Sequence, residues 1–251
     1  MSALLRSELR RLASRRLYRW VGGLIALGIA IGGTVVFLRS PTEGFTFSEM
    51  DSNLVQVLGF PMILVGWLTG ASAIGAEWQH RTVTALLTWE PRRGRVLGAK
   101  VAAAALFTIA VVVLLMALFT AVMVPAAAVN GTFAGVDGGW WADYLVAVAR
   151  VAAVAAAASA VGFSLSTIGR NTAAGFGGGF AYLLIGEPLL RSWRPEWGDW
   201  LIGPNMGRVV YGAQDFGAAE QTMAGAAAIV ALWALAALVL ASWFFERREM
   251  A

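Results

Sequence analysis

Apolar residues fill long, nearly unbroken runs in this chain, and polar residues are confined to the stretches between them. A helix crossing ~30 Å of hydrocarbon needs about 20 apolar residues at a rise of ~1.5 Å each. Six runs approach that length: 21–38, 54–76, 101–124, 144–168, 173–190 and 223–245. The third and sixth are plain, the fourth is broken by Arg150, and the fifth, "AAGFGGGFAYLLIGEPLL", is short and glycine-rich. Strand-like alternation persists nowhere, and a single open strand could not satisfy its backbone in lipid. The pattern predicts an all-α integral membrane protein, with six transmembrane helices in a single domain over residues 1–251.

Three connecting segments carry patterns of their own. In "MSALLRSELRRLASRRLYRW", residues 1–20, Leu5, Leu9 and Leu12 share one helical face, while Arg6, Arg10, Arg11 and Arg15 lie mostly elsewhere. This reads as an amphipathic helix in the interface, its arginines drawn to anionic lipid; the alternative is an unstructured basic tail that only sets topology. Over 79–90, Thr82, Val83, Leu86, Leu87 and Trp89 fall on one face, with His80, Arg81, Thr84, Ala85 and Thr88 on the other. Pro91 disfavours helical geometry at Glu90 and ends the element, and "PRRGR" follows as a basic turn. A short helix lying across the membrane surface is predicted there. The stretch 191–222 is too long for a simple turn and carries Trp193, Trp197 and Trp200, so a short re-entrant or surface helical hairpin is expected.

Composition agrees with the pattern. Of 251 residues, 59% are hydrophobic and 14% charged, against about 25% charged in soluble domains. Cysteine is absent, which excludes disulfides and cysteine-based metal or redox sites. The net charge of +4 is unevenly spread. With six spans, Arg39, Arg191, Arg194 and Arg208 fall on one side, Arg150 within a span, and every other Lys or Arg on the side of the two termini. That bias places both termini and the 77–100 connection in the cytoplasm, in an inner (cytoplasmic) membrane, and makes 191–222 a long last extracellular loop. The basic balance is thus a topology signal rather than a nucleic-acid footprint. Tyr18, Trp20, Trp78, Trp89 and Trp243 fall near the inner boundary, and Trp140, Trp141, Trp193, Trp197 and Trp200 near the outer one, as interfacial aromatics do. The first run is long and "TVVFLRSP" offers no small-x-small cleavage site, so it is expected to stay as a span.

The stretch between the second and third runs reads E-x-x-x-R-T-x-x-x-L-L-T-x-x-P-R-R-G-R-V-L-x-A-K, from Glu77 to Lys100. It resembles the first cytoplasmic loop of type-2 ABC transporter permeases. The six spans, the basic amphipathic N-terminus and the long last outer loop are similar to the same family in layout. The resemblance implies that 79–88 is the coupling helix that docks on a separate ATPase subunit. Its contact residues would be Glu77, Gln79, His80, Arg81, Thr82, Val83, Leu86, Leu87 and Thr88. It implies that 4–18 is the connecting helix near that subunit, presenting Leu5, Leu9, Arg10 and Leu12. It also implies a homodimer or heterodimer of permeases, export as the direction, and ATP with Mg held by the partner rather than by this chain. A nucleotide loop would need a glycine-rich turn ending in Gly-Lys-Ser/Thr. The only lysine, Lys100, sits in "LGAKVA" and does not fit, so no enzymatic role is expected of the chain itself.

Other residues have two readings each. Gly28/Gly32, Gly66/Gly70 and Gly175/Gly179 are close-packing pairs, suited to a dimer seam or to contacts within one bundle. Arg150 lies in a span and either snorkels, pairs structurally or meets an anionic substrate group. Glu187 and Arg191, spaced i, i+4, suggest a structural ion pair, with Pro188 kinking or ending the helix between them. His80 lacks metal-ligand partners, and Ser164 and Ser166 lack a His–Asp pair. Few charges in the spans suggest an amphipathic or lipid-like cargo. The competing class is an ion-coupled carrier or a membrane enzyme without an ATPase partner; a carrier would show paired intramembrane carboxylates, an enzyme clustered His, Asp or Glu at one depth.

Overall fold

The computed structural model describes residues 2–43, 46–80, 82, 88, 92–212 and 221–247. Its elements are α1 (Ser2–Ser14), α2 (Arg16–Glu43), α3 (Met50–Gln79), α4 (Arg93–Asn130), α5 (Gly138–Gly169), a helix α6 over 172–193, α7 (Ile202–Tyr211) and α8 (Met223–Arg247). Among the described residues there is no strand; one isolated parallel bridge joins Thr46 to Thr132. Five helices are long and apolar enough to cross a membrane, over Arg16–Arg39, Phe47–Gln79, Arg93–Asn130, Gly138–Gly169 and Met223–Arg247.

Boundaries differ from the sequence expectation where polar residues continue a helix past its apolar run. The N-terminal amphipathic helix stops at Ser14, and Arg16 to Trp20 already belong to the first spanning helix. Helix α4 starts at Arg93 and runs on past Pro125 to Asn130. Helix α5 gains a first turn at Gly138, capped by the Asp137 carboxylate, which accepts the N–H of Trp140 at 2.8 Å.

The run at 173–190 folds as alternating short pieces: π turns at Ala174–Gly178 and Tyr182–Gly186, α-helical pieces at Gly179–Ala181 and Glu187–Trp193. None of these reaches the length of a span by itself. The helix does not end at Pro188; that ring sits in the first turn of the last α piece, directly after a π turn. A proline removes one backbone donor and crowds the preceding turn, and the wider π turn accommodates both.

Helices α3 and α5 form the centre, and the small residues on their facing sides explain why. A Cβ on Gly66 would lie 2.1 Å from the Ala155 carbonyl oxygen, and one on Gly70 would lie 1.7 Å from that of Ser159. The backbones touch, which only glycine allows at these positions. Gly175 and Gly179 are likewise packed within the chain, against Ser166 and Trp67, whereas Gly28 and Gly32 on α2 have nothing beside them. Two of the three small-residue pairs are therefore intramolecular seams. Around this centre α4 contributes Val112, Met116 and Phe119, and α8 contributes Ala226, Val230 and Ala234. Helix α2 is the least covered, with Leu24, Leu27, Ile31 and Leu38 all exposed.

The described part of the 191–222 stretch, residues 191–212, 221 and 222, includes one helix that packs inward. After a 3-10 turn at Pro195–Trp200, α7 buries Ile202, Asn205, Met206 and Val210 in the main core. Asn205 fixes the entry by donating to the carbonyls of Asp199 (2.9 Å) and Leu201 (2.7 Å).

Candidate functional site

Two spanning helices meet the 80–92 connection: α3 delivers its last turn at Glu77–Gln79, and α4 leaves from Arg93. Four of the nine predicted contact residues, Arg81, Val83, Leu86 and Leu87, lie outside the described residues, as do Glu90 and Pro91. Thr82 and Thr88 are helical and exposed, Gln79 closes α3, and His80 caps it through its N–H to the Ala76 carbonyl.

The stems of this connection are joined by a buried charge cluster. The Lys100 ammonium donates to Oε1 of Glu77 at 2.7 Å and to Oε1 of Glu8 at 2.8 Å. Arg11 pairs with both carboxylates from its Nη2. Lys100, Glu77 and Glu8 are 2%, 4% and 5% exposed, so three of the four charges are held away from water; Arg11 reaches solvent over part of its side chain, and the four sum to zero. Desolvating an isolated charge is costly, and such groups persist in interiors only when paired and hydrogen-bonded. The cluster therefore fixes the relative positions of α1, the end of α3 and the start of α4.

Sequence arithmetic explains how each member arrives. Glu8 lies three residues after Leu5 and four before Leu12, on the edge of the apolar face that α1 turns inward; Leu5, Leu9 and Leu12 pack against a second core of Ile74, Leu97, Ala103, Phe163 and Phe245. Arg10 faces outward. Lys100 lies seven residues into α4, two turns from Arg93, with buried Leu97 and Ala103 on either side.

Neighbouring contacts brace the same junction. Arg15, at the break between α1 and α2, donates to the Ser72 carbonyl, and the Tyr18 hydroxyl meets the Ser72 hydroxyl and, at 3.3 Å, the Thr69 carbonyl. The Tyr18 ring packs on Phe107 of α4 with centroids 4.9 Å apart. Arg93 donates to the carbonyls of Phe245 (3.3 Å) and Glu246 (2.9 Å), tying the far stem to the end of α8. The Arg170 guanidinium sits over the Trp78 ring at 5.6 Å, reaching the end of α5. The ends of α1, α5 and α8 are thus each linked to one of the two stems.

The remaining predicted site residues lie apart from this junction. Glu187 is 2% exposed, and its carboxylate accepts the Gly203 N–H at 3.0 and 3.1 Å, acting as an acceptor for the first turn of α7 in place of a local cap. It lines a cavity of about 250 Å3 with Phe60, Leu183, Arg191 and Tyr211. Arg150 is half-buried and reaches Sδ of Met223 at 3.7 Å, while its Nε has no partner. Glu8, Arg11 and Lys100 do not stand out in the sequence as a unit, because Arg11 and Lys100 enter it as topology charges in distant segments and nothing there pairs them with Glu8. The available signal was the lone acid on the apolar edge of a basic helix.

No protein family matches the chain, and no curated protein matches it closely enough to count as a relative. The class that the fold itself defines is a multi-pass, all-helical membrane protein.

Proposed function

We propose that this chain is the permease subunit of an ATP-driven ABC transporter, exporting an amphipathic or lipid-like substrate across the cytoplasmic membrane. The observation that carries the reading is the Lys100–Glu77–Glu8–Arg11 cluster. It binds both stems of the 80–92 connection to the N-terminal helix, so a load applied to that connection reaches several membrane helices at once. In this reading 79–88 docks on a separate ATPase subunit that holds ATP and Mg. Helix α6 completes six crossings, both termini are cytoplasmic, and two permease copies enclose the path. An apolar cavity of about 570 Å3, lined by Trp67, Leu165, Gly178, Tyr182 and Trp233, suits an amphipathic cargo. Alternation between two global states would follow from the ATPase binding each state with different affinity.

The ion-coupled carrier is favoured only by buried Glu187, and that carboxylate is already occupied by Gly203. The deciding experiment is co-purification of the chain with a soluble protein bearing a phosphate-binding loop, followed by the Leu86→Asp/Leu87→Asp double variant. The proposal expects the complex to form with the parent chain, and expects the double variant to lose stimulation of ATPase activity by cargo. Cargo transport by the purified chain with no such companion overturns it.

A further inference from the structure

The junction between α1 and α2 borders an open cavity of about 690 Å3 whose wall includes Arg15, Arg16, Ser72, His80 and Thr172. Its only described acid, Glu77, already has Oε1 engaged by Lys100 and Arg11. Of the wall's arginines, Arg11 is spent on that cluster, and Arg15 and Arg16 are not. Arg15 gives one Nη1 to a neutral carbonyl, and Arg16 forms no ion pair among the described residues. Thr172 opens helix α6, so the positive end of a long helix contributes to the same wall.

The location narrows the ligand. Arg16 is the first residue of a membrane-length apolar helix, which puts the cavity at headgroup depth. Arg16, Arg19 and Trp20 line an adjoining depression of about 420 Å3. From Arg16 onward, Trp20, Leu24, Leu27 and Ile31 follow at helical spacing along α2, and all four are exposed, Trp20 by 78%. A cationic pocket thus continues directly into an uncovered apolar stripe. A free anion would use only the first part; a lipid uses both.

We propose that this cavity is a specific site for an anionic phospholipid. The guanidinium groups of Arg15 and Arg16 receive the phosphate, for which the planar guanidinium is well shaped, and the acyl chains lie along Trp20, Leu24 and Leu27. Basic pockets between membrane helices recognise lipid headgroups in this way. The site goes beyond a general attraction of α1 for a charged surface, because Arg6 and Arg10 are exposed and line neither the cavity nor the adjoining depression. It also stands independently of any ATPase partner.

The test is native mass spectrometry of the full chain in neutral detergent, offered phosphatidylglycerol and phosphatidylcholine with identical acyl chains. Phosphatidylglycerol should be retained preferentially. Arg15→Gln/Arg16→Gln should weaken retention by about fivefold per arginine, and Arg6→Gln/Arg10→Gln, with the same loss of charge, should leave it unchanged. Because Arg15 also braces α3, Arg16→Gln alone is measured beside the double variant, and thermal melts establish that each variant is folded. Equal retention of the two lipids, equal losses in both double variants, or displacement of the lipid by millimolar inorganic phosphate would each overturn the proposal.

Discussion

The ammonium of Lys100 lies 2.7 Å from the carboxylate of Glu77, joining the two helices on either side of a connection that spans residues 80–92. Both groups are almost wholly buried, so the pair sets geometry in a way that a surface ion pair, worth at most about 1 kcal/mol, would not.

Removing one member strands a charge. Lys100→Met should lower stability by about 3–5 kcal/mol, seen as a clear fall in the apparent melting temperature of the detergent-solubilised chain. Adding Glu77→Gln to Lys100→Met removes one charge of each sign and leaves the Arg11–Glu8 pair in place. The double variant should then melt above the Lys100→Met single variant, and strict additivity would count against the cluster as a unit.

The contact between α3 and α5 predicts a sharp contrast between two glycines. Gly70→Val forces a side chain onto the Ser159 carbonyl and should cost about 3 kcal/mol, with loss of monodisperse protein on gel filtration. Gly28→Val, at a position with open space beside it, should change stability by no more than about 0.5 kcal/mol.

Glu187 should act as a clasp for α7. Glu187→Ala leaves the Gly203 N–H without its acceptor, a loss of about 1–3 kcal/mol, while Glu187→Gln keeps a carbonyl in place. Met206 is 1% exposed, so a Met206→Cys reporter should be inert to maleimide in the otherwise unaltered chain. It should stay inert when combined with Glu187→Gln and should label readily when combined with Glu187→Ala.

The absence of native thiols makes topology directly measurable. Single cysteines in place of Gly94 and Glu246 should be shielded from an impermeant reagent in intact cells, and those replacing Ala134 and Glu196 should react. If α6 fails to cross, Glu196 labels with the same sidedness as Gly94.

The five membrane-length helices were legible because an apolar run of that length admits few alternatives. Helix α6 was harder to read: "GFGGGF" supplies almost no side-chain surface, and its departure into π turns has no hydropathy signature. The inward charges were hidden for a different reason. A charge count assigns Glu8 and Lys100 to a side of the membrane, but only the fold reveals that they face each other. The clasp between Glu187 and Gly203 was equally invisible, since the expected partner, Arg191, lay closer in sequence. The length and tryptophans of 191–222 marked it as more than a simple turn; the burial of α7 within it was not legible, since Asn205 is an ordinary residue until its two carbonyl partners are in place.

Helix α2 is secured at its extremities, by Tyr18 to Ser72 at one and by the Asn130 amide to the Phe37 carbonyl at the other, and between them along one side only, by Ile29 and by Gly33 against Val122. Its apolar run, 21–38, extends about 27 Å at ~1.5 Å per residue, a little under the ~30 Å of a typical hydrocarbon layer. A stave of that length is matched by snorkelling of Arg16, Arg19 and Arg39 and by local thinning of the lipid, to an extent that depends on bilayer thickness. Because its lower mooring is the Arg15–Tyr18 brace, a thicker or thinner membrane pulls on the same joint that the charge cluster secures, making the bilayer itself a mechanical input to this protein.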